Sequence, residues 1–300
     1  MSSWPEESGS VPGEVRSERL LAWFSERRRD LPWRRTRDPW RVLVSELMLQ
    51  QTQVARVLPR YEAFLDRWPT PSACAATPVA EIISAWTGLG YNRRAVSLHR
   101  CATVVVAEHD GSLPDDLAGL LALPGVGPYT ARAVLSFSHE RDVGVLDTNA
   151  ARVLARWAGR ALGRAEAQDA ADLAVPEGEG WAWNQAMLDL GATLCRSRRP
   201  ACEICPVAGD CAWRAAGNAT PDPAIGSAGV SGGQARFDGS DRQGRGRLVK
   251  ALCCAPVPAA DLASVMGWPD APARTSRVAA TLVADGLAVV ADDGTLHLPS

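Results

Sequence analysis

Four cysteines carry the most specific chemical signal in the sequence. Cys195, Cys202, Cys205 and Cys211 have the spacing C-x6-C-x2-C-x5-C. Thiolates this close in the chain can surround one tetrahedral zinc ion or one cubane iron–sulfur cluster. Zinc sites generally pair their cysteines in two short knuckles, and only the middle pair has that spacing here. The pattern therefore favours an iron–sulfur cluster over zinc.

Two carboxylates stand out from their surroundings. Glu46 lies inside the otherwise apolar helical stretch R-V-L-V-S-E-L-M-L-Q-Q-T-Q-V. Burial would raise the pKa of this glutamate towards the range of a proton donor, so Glu46 is a candidate general acid. The alternative is a solvent-facing glutamate on an amphipathic helix. The second carboxylate is Asp147, about one helix after a glycine-rich turn.

That turn is Gly125-Val126-Gly127-Pro128, within L-P-G-V-G-P-Y-T-A. Two glycines allow a tight reversal, and Pro128 suits the first position of a helix because its φ is already helical. The start of a helix offers unpaired amides and the positive end of a dipole. The pattern predicts a phosphate site near Asp147.

Positive charge is local rather than global. The formal net charge is −2, so nucleic-acid binding would need basic clusters. Arginine interleaved with tryptophan suits phosphate contacts and base stacking, although a solvated helix face is an equal alternative for the first three arginines. The first cluster contains Arg27, Arg28, Arg29, Arg34, Arg35, Arg37 and Arg41 with Trp33 and Trp40. The second contains Arg196, Arg198, Arg199 and Arg214, around the four cysteines.

The positions of proline and glycine, which interrupt helices, predict the domain organisation. Residues 1–16 are polar and are predicted to be a disordered tail, whereas 17–216 alternate helical segments with short breaks. Residues 217–247 contain 13 Gly, Ser or Pro among 31 positions, which predicts a flexible linker. Residues 248–300 suggest three short helices and a hairpin with an Asp-Gly turn, as in a winged-helix module.

Composition describes an ordinary soluble protein, with 46% apolar and 22% charged residues. The first 20 residues lack the apolar core of a signal peptide, and no apolar run has the length of a membrane span. We expect a cytoplasmic protein with reduced cysteines. Cys74, Cys101, Cys253 and Cys254 have no ligand spacing and are interpreted as core residues.

Seven motifs in order resemble those of the MutY-type adenine DNA glycosylases, members of the helix-hairpin-helix superfamily that includes endonuclease III. They extend through residues 20–215. The motifs are L-P-W-R (31–34), S-E-L-M-L-Q-Q-T-Q-V (45–54), W-T-G-L-G-Y (86–91), L-P-G-V-G-P-Y-T-A (123–131), L-D-T-N-A-A-R-V-L (146–154), N-Q-A-M-L-D-L-G-A (184–192) and the four-cysteine loop.

This resemblance implies an all-α fold with two helical lobes and a DNA cleft between them. A six-helix lobe is expected at about 38–148, and a cluster lobe at about 149–216 plus 17–37. The cluster lobe would bind a [4Fe–4S] cluster through the four cysteines. A small winged-helix-like module would follow the linker.

The resemblance also assigns roles to the two acids. Glu46 would protonate the flipped adenine, and Asp147 would stabilise the oxocarbenium-like sugar electrostatically or by transient covalent attachment. Tyr129 and Asn149 stand at positions that help to orient these acids.

Substrate contacts follow from the same matches. The positions that line the adenine pocket are Trp33, Arg34 and Gln185. Those that wedge into the duplex and contact the oxidised guanine are Gln51, Thr52, Leu89 and Tyr91. The amides of Gly125, Val126 and Gly127 would hold a DNA phosphate, and the resemblance leaves open a monovalent cation there.

The implied activity is removal of adenine mispaired with 8-oxoguanine or guanine, by a monomer acting on double-stranded DNA at the nucleoid. Endonuclease III-like enzymes have a lysine where this chain has Tyr129, so a monofunctional glycosylase is preferred to a lyase. The chain departs from the family at Thr148, usually glycine, and at Asn92, commonly tyrosine. The 83 residues from Asn218 onward are also too few for the larger domain that helps many members to read 8-oxoguanine.

Three alternatives remain at this point. One is an endonuclease III-like pyrimidine glycosylase and lyase. Another is a non-catalytic iron–sulfur DNA-binding regulator that uses the C-terminal module, which would leave both acids without a role. The third is a zinc-binding structural protein.

Overall fold

The computed structural model describes residues 12–228 and 236–300, and the secondary-structure elements within these ranges are all helices apart from one two-stranded hairpin. Residues 1–11 of the predicted disordered tail lie outside the described residues, as do 229–235 of the predicted linker. The prediction of disorder is wrong for residues 12–16, which belong to the first helix. No helix in the described ranges is long and apolar enough to cross a membrane.

Fifteen α-helices follow one another in the described chain. The first seven are α1 (Pro12–Arg27), α2 (Pro39–Leu49), α3 (Val54–Arg67), α4 (Pro71–Ala75), α5 (Val79–Ala85), α6 (Arg93–Glu108) and α7 (Leu117–Ala122). The others are α8 (Pro128–His139), α9 (Thr148–Ala158), α10 (Arg164–Leu173), α11 (Gly180–Thr193), α12 (Ala212–Ala215), α13 (Asp241–Leu252), α14 (Leu262–Met266) and α15 (Pro272–Ala284). The strands are β1 (Val289–Val290) and β2 (Leu296–His297), and short 3-10 helices occur at Pro32–Arg34, Cys202–Ile204, Ala208–Asp210 and Ala259–Asp261.

These elements form two compact units. The cluster unit comprises the described residues 12–37 and 131–228, and the hairpin unit comprises 38–130 and 236–300. The division falls within α8, whereas the sequence predicts a lobe boundary after residue 148. The C-terminal module belongs to the hairpin unit.

The cluster unit is built on α1, α9 and α11. Their apolar faces supply most of its core, in which each fully buried large side chain contributes about 1.5–3 kcal/mol. The core includes Leu20, Phe24, Val153, Leu154, Trp157, Trp183, Met187 and Leu190. Helix α11 approaches α9 closely at Gly191, where an added Cβ would lie 2.6 Å from Asn149 Cβ. Only glycine permits this approach, which brings Asn149 against α11.

The hairpin unit contains a helix that is buried on nearly all sides. Helix α2 starts at Pro39 after the N-cap Asp38, whose carboxylate accepts a hydrogen bond from the amide of Arg41 at 3.0 Å. From Trp40 onward all its residues except Arg41 and Leu49 are buried. This surrounding apolar contact explains why the sequence of α2 has few polar positions.

The C-terminal module has the predicted three helices and hairpin. In the hairpin, Val289 pairs with His297 and Val290 with Leu296, and the turn contains Gly294 at φ 82°. Helix α13, however, starts at Asp241, inside the segment predicted to be a linker. Its N-cap Ser240 accepts a hydrogen bond from the amide of Gln243 at 3.3 Å, so serine that composition counts as linker-like begins a helix.

The described start of the same predicted linker is also anchored. Asp222 forms an ion pair with Arg156 at 2.6 Å, and the amide of Ala228 donates to the carbonyl of Leu162 at 3.2 Å. Ala224 is buried. Residues 217–228 therefore pack on the cluster unit, which composition alone does not predict.

Candidate functional site

The structure divides the predicted site residues between the two units. The cluster unit holds Trp33, Arg34, Asp147, Asn149, Gln185 and the four-cysteine loop. The hairpin unit holds Glu46, Gln51, Thr52, Leu89, Tyr91, Gly125, Val126, Gly127 and Tyr129. Each unit thus contains one of the two acids.

Asp147 is the N-cap of α9 and is half-buried. Its Oδ1 accepts hydrogen bonds from the amides of Asn149 at 2.8 Å and Ala150 at 2.7 Å, and its Oδ2 accepts one from Asn149 Nδ2 at 2.8 Å. Burial raises the pKa of the Asp147 carboxyl, against the lowering effect of these hydrogen bonds. Since Oδ2 accepts only this one of the described hydrogen bonds, it retains acceptor capacity towards a ligand.

Arg152 holds the residue that orients Asp147. Its Nη2 donates to Asn149 Oδ1 at 2.7 Å and to the Gly191 carbonyl at 2.8 Å, and its Nε donates to the Cys195 carbonyl at 2.7 Å. The side chain is 5% exposed. Sequence reasoning assigned no role to Arg152. Its position one helical turn after Asn149 was the available signal.

Asn184 fixes the segment that leads to Asp147. Its Oδ1 accepts a hydrogen bond from the amide of Val145 at 2.8 Å, and its Nδ2 lies 2.8 Å from the Val143 carbonyl and 3.0 Å from Ser136 Oγ. The next residue is Gln185, also buried on α11. Asn184 is the first residue of the motif at 184–192, but the sequence predicts no function for it.

Arg34 forms a buried ion pair, so its two Nη atoms are bound to Asp189 rather than directed at a ligand pocket. Its Nη1 and Nη2 donate to the two oxygens of Asp189 at 2.7 and 2.9 Å, and Arg29 Nε donates to Asp189 Oδ1 at 2.6 Å. Burial would raise the pKa of Asp189, but the arginines outweigh burial and hold it below the usual range. Arg34 Nε is buried without a hydrogen-bond partner among the described residues. The adjacent Trp33 is also buried.

The four cysteines of the loop form no disulfide bond and line one cavity. Arg156 Nη1 donates to Cys195 Sγ at 3.2 Å, and its guanidinium lies 4.6 Å from the ring centroid of Trp213. Burial raises the pKa of the Cys195 thiol, and Arg156 opposes this effect. Four soft sulfur donors around a shared cavity, with a cation beside one of them, fit an anionic iron–sulfur cluster.

No group of three or more His, Cys, Asp or Glu side chains that could hold a metal ion occurs in the described ranges. The fit to a cluster therefore depends on the chemistry of the sulfur donors. The other cysteines differ among themselves, because Cys74 and Cys101 are buried, whereas Cys253 is half-buried and Cys254 is exposed. The interpretation as core residues is wrong for Cys254.

Glu46 lies on the buried part of α2 and is 4% exposed. The structure thereby excludes the solvent-facing alternative for this residue. Its neighbours on α2, Ser45 and Leu47, are buried as well. A carboxyl group in this position is shielded from bulk water.

Arg94 holds together the two turns that carry the predicted mispair-reading residues. Its Nη1 donates to the carbonyls of Leu47 and Gln50, each at 2.6 Å, and its Nη2 donates to the Gly90 carbonyl at 2.7 Å and to Thr52 Oγ1 at 3.1 Å. Burial lowers the pKa of Arg94 to about 10. This arginine satisfies carbonyls at the end of α2, and sequence reasoning did not single it out.

The predicted mispair-reading residues line one cavity of the hairpin unit. Gln51 and Tyr91 have left-handed backbone conformations, with φ values of 53° and 47°, which are uncommon for residues other than glycine. Thr52 Oγ1 donates to the Leu89 carbonyl at 3.2 Å. Leu89 itself is 3% exposed, so its side chain is buried rather than projecting as a wedge.

The glycine-rich turn between α7 and α8 has the predicted reversal. Gly125 has φ 79°, and an added Cβ would lie 2.5 Å from Ser97 Cβ, so only glycine fits. The Val126 amide donates to the Leu123 carbonyl at 3.2 Å. The Val126 amide is therefore used within the turn. Of the three amides predicted to hold a phosphate, those of Gly125 and Gly127 remain as candidates. Tyr129 follows in the first turn of α8 and is half-buried.

Comparison with known proteins gives two matches to protein families. Residues 44–170 match the HhH-GPD superfamily of base excision DNA repair proteins. Residues 195–211 match the iron–sulfur binding domain of endonuclease III, and this range begins and ends at cysteines of the loop.

Individual proteins are similar over longer ranges. The adenine DNA glycosylase of Mycobacterium tuberculosis (strain CDC 1551 / Oshkosh) is 42% identical over 307 residues, covering 98% of this chain and 97% of the relative. That of Mycolicibacterium smegmatis is 42% identical over 284 residues, covering 93% of this chain and 94% of the relative. A solved thermostable thymine-DNA glycosylase has a TM-score of 0.65 and 30% identity, covering 68% of this chain and 97% of the other.

Proposed function

The chain belongs to the adenine DNA glycosylase family, and from that premise we propose that it excises adenine paired with 8-oxoguanine or guanine in duplex DNA. The predicted family is confirmed. A non-catalytic regulator and a zinc-binding structural protein lose their support, because the relatives are glycosylases over nearly their full length and the cysteine loop matches an iron–sulfur domain. The proposed product is an abasic site.

The chemistry is divided between the two acids. Glu46 donates its proton to the adenine base, which makes the base a better leaving group. Asp147 is ionised when the glycosidic bond breaks and stabilises the positive charge that develops on the sugar. The observation that carries this proposal is the fixation of Asp147 by Asn149, with acceptor capacity left on Oδ2.

The adenine pocket is proposed to involve Trp33, Arg34 and Gln185. The forked end of Arg34 binds Asp189, and its Nε–H is a buried donor without a hydrogen-bond partner among the described residues. A buried donor without a partner is costly, and an acceptor nitrogen of the adenine ring would satisfy it. Trp33, the preceding residue, is also buried and would add an apolar ring surface to the pocket.

Tyr129 supports a monofunctional reaction. A lyase forms a Schiff base between the sugar and an amine, and the phenol of Tyr129 cannot form one. In this proposal a water molecule, rather than an amine of the protein, attacks the anomeric carbon of the sugar. Strand cleavage at the abasic site is then left to other enzymes.

We propose Cys195, Cys202, Cys205 and Cys211 as the cluster ligands. The cluster would tie residues 195–211 into a rigid loop. Arg196, Arg198 and Arg199 on this loop are exposed, so they are available to DNA phosphates. These three arginines give the cluster unit a local basic surface, although the net charge of the chain is −2.

Single-turnover excision on four duplexes tests the function, with adenine opposite 8-oxoguanine, guanine, cytosine or thymine. We expect abasic product with the first two. Glu46→Gln should lower the rate by at least about 100-fold with DNA binding retained. The matched control is Glu62→Gln, an exposed glutamate on α3, which should leave the rate unchanged. Absence of product on every duplex, or full activity of Glu46→Gln, would refute the proposal.

A further inference from the structure

The cavity that contains the predicted mispair-reading residues has a second wall, made by the C-terminal module. The cavity measures about 1250 Å³. Its first wall carries Gln51, Thr52, Leu89 and Tyr91. Its second wall, called the α13 wall below, consists of Phe237, Arg242, Arg245, Gly246, Val249 and Lys250. The module thus contributes to the same space as the predicted base-reading residues.

The two walls are joined by a polar contact. Arg242 Nη1 donates to the hydroxyl of Tyr91 at 3.1 Å, and the Arg242 guanidinium lies 5.9 Å from the ring centroid of Phe237. Both rings remain accessible, since Tyr91 is 40% and Phe237 is 55% exposed. Exposed large aromatic side chains beside an arginine are typical of surfaces that stack on bases.

The lining of the cavity is strongly cationic. Asp285 is the one acid among the described lining residues, and it pairs with Arg245 at 2.5 Å and with Arg93 at 3.7 Å. Lys250 is exposed on the α13 wall. On the opposite side, Arg56 and Arg60 also line the cavity. The excess positive charge favours a polyanion over a neutral ligand.

We propose that the α13 wall binds the DNA strand opposite the adenine, with Phe237 against a base and with Arg242 and Lys250 on its phosphates. The inference deepens the proposed function and rests on it for the identity of the DNA. A duplex fits better than a free nucleotide, because the cavity measures about 1250 Å³ and is continuous with the turns that carry the predicted mispair-reading residues.

The chemistry of the α13 wall is insensitive to oxidation of the guanine. Oxidation adds a carbonyl at C8 and converts the N7 acceptor into an N–H donor, so recognition of the new N–H needs a free acceptor. Asp285 is already held by Arg245 and Arg93. Oxidation of the guanine leaves the phosphates and the faces of the ring available for the same contacts, so these contacts do not distinguish the two bases. The α13 wall therefore supplies affinity, and discrimination belongs to the first wall.

Equilibrium binding of the full-length protein tests this assignment. The probes are two duplexes with an uncleavable adenosine analogue opposite either 8-oxoguanine or guanine, titrated at several salt concentrations. Arg242→Ala combined with Lys250→Ala should weaken both complexes by a similar factor, about tenfold or more. The slope of log affinity against log salt should fall by about one per cation removed. The ratio between the two duplexes should not change.

The matched control is Arg277→Ala, an exposed arginine of the same module that pairs with Asp241 and does not line the cavity. It should bind both duplexes like the unmodified protein, and circular dichroism should show equal folding of all variants. Unchanged binding in the double variant would overturn the proposal, and so would a loss confined to 8-oxoguanine. Absence of adenine excision with a uniform binding loss would instead refute the proposed function alone.

Discussion

Asn149 Nδ2 lies 2.8 Å from Asp147 Oδ2, while the oxygen of the same amide accepts a hydrogen bond from Arg152 at 2.7 Å. The amide is thereby fixed in the orientation that presents its N–H groups to the carboxylate. Arg152 in turn bonds the carbonyl of Cys195 at 2.7 Å. One buried arginine therefore connects the cysteine loop to the residue that orients the candidate catalytic acid.

Removal of the Asn149 side chain should shift the pH dependence of excision. Asp147 acts as an anion, so the rate rises with pH through its pKa, which burial already raises above the ordinary aspartate value. The Asn149 hydrogen bond stabilises the anion and lowers this pKa. In Asn149→Ala the pKa rises further, the acid limb moves to higher pH, and the rate on that limb falls roughly tenfold.

The measurement is single-turnover excision across a pH series. Asn92→Ala serves as a control for loss of a half-buried asparagine amide, and it should leave the acid limb in place. An acid limb in Asn149→Ala that stays put or moves to lower pH would contradict the assigned role of Asn149.

Arg94→Met should disorder the two turns that carry the predicted mispair-reading residues. The substitution keeps an apolar stem but leaves the carbonyls of Leu47, Gln50 and Gly90 without their donor. We expect a loss of about 3 kcal/mol in the free energy of unfolding. Discrimination between adenine opposite 8-oxoguanine and adenine opposite thymine should fall with it, because Gln51 and Tyr91 lose their fixed backbone conformations.

Urea denaturation and the excision rates on the two duplexes check this expectation. Arg100→Met is a suitable control, since Arg100 lies on the same helix α6 but is exposed and does not line the cavity. Unaltered stability and discrimination in Arg94→Met would show that the turns hold their conformation without it.

Cys202→Ser should remove the cluster. We expect loss of bound iron and of the visible absorption of an iron–sulfur centre, with weaker DNA binding because the arginines of the loop lose their support. Cys254→Ser is the matched control, since Cys254 is exposed and outside the loop, and it should keep the full iron content. Bound zinc in the purified protein, or unchanged iron in Cys202→Ser, would refute the assigned ligand set.

Local patterns were enough to propose the candidate residues for the chemistry. The cysteine spacing, the lone glutamate of α2, and the two glycines before Pro128 each express a requirement that holds within a few residues of chain. The three helices and the hairpin of the C-terminal module are likewise indicated by patterns among neighbouring residues. The physical reason is that helix periodicity, turn geometry and ligand spacing are set by neighbouring residues.

Tertiary structure decided which side chains hold these residues in place. Arg94 reaches a carbonyl 47 residues away, and Arg152 reaches one 43 residues away, so no spacing rule reveals either contact. The same applies to Arg34, whose guanidinium is taken up by Asp189, and to Ser240, which begins a helix within a linker-like composition. A buried long side chain bonds whatever acceptors the packed helices bring to it, and this depends on the fold as a whole.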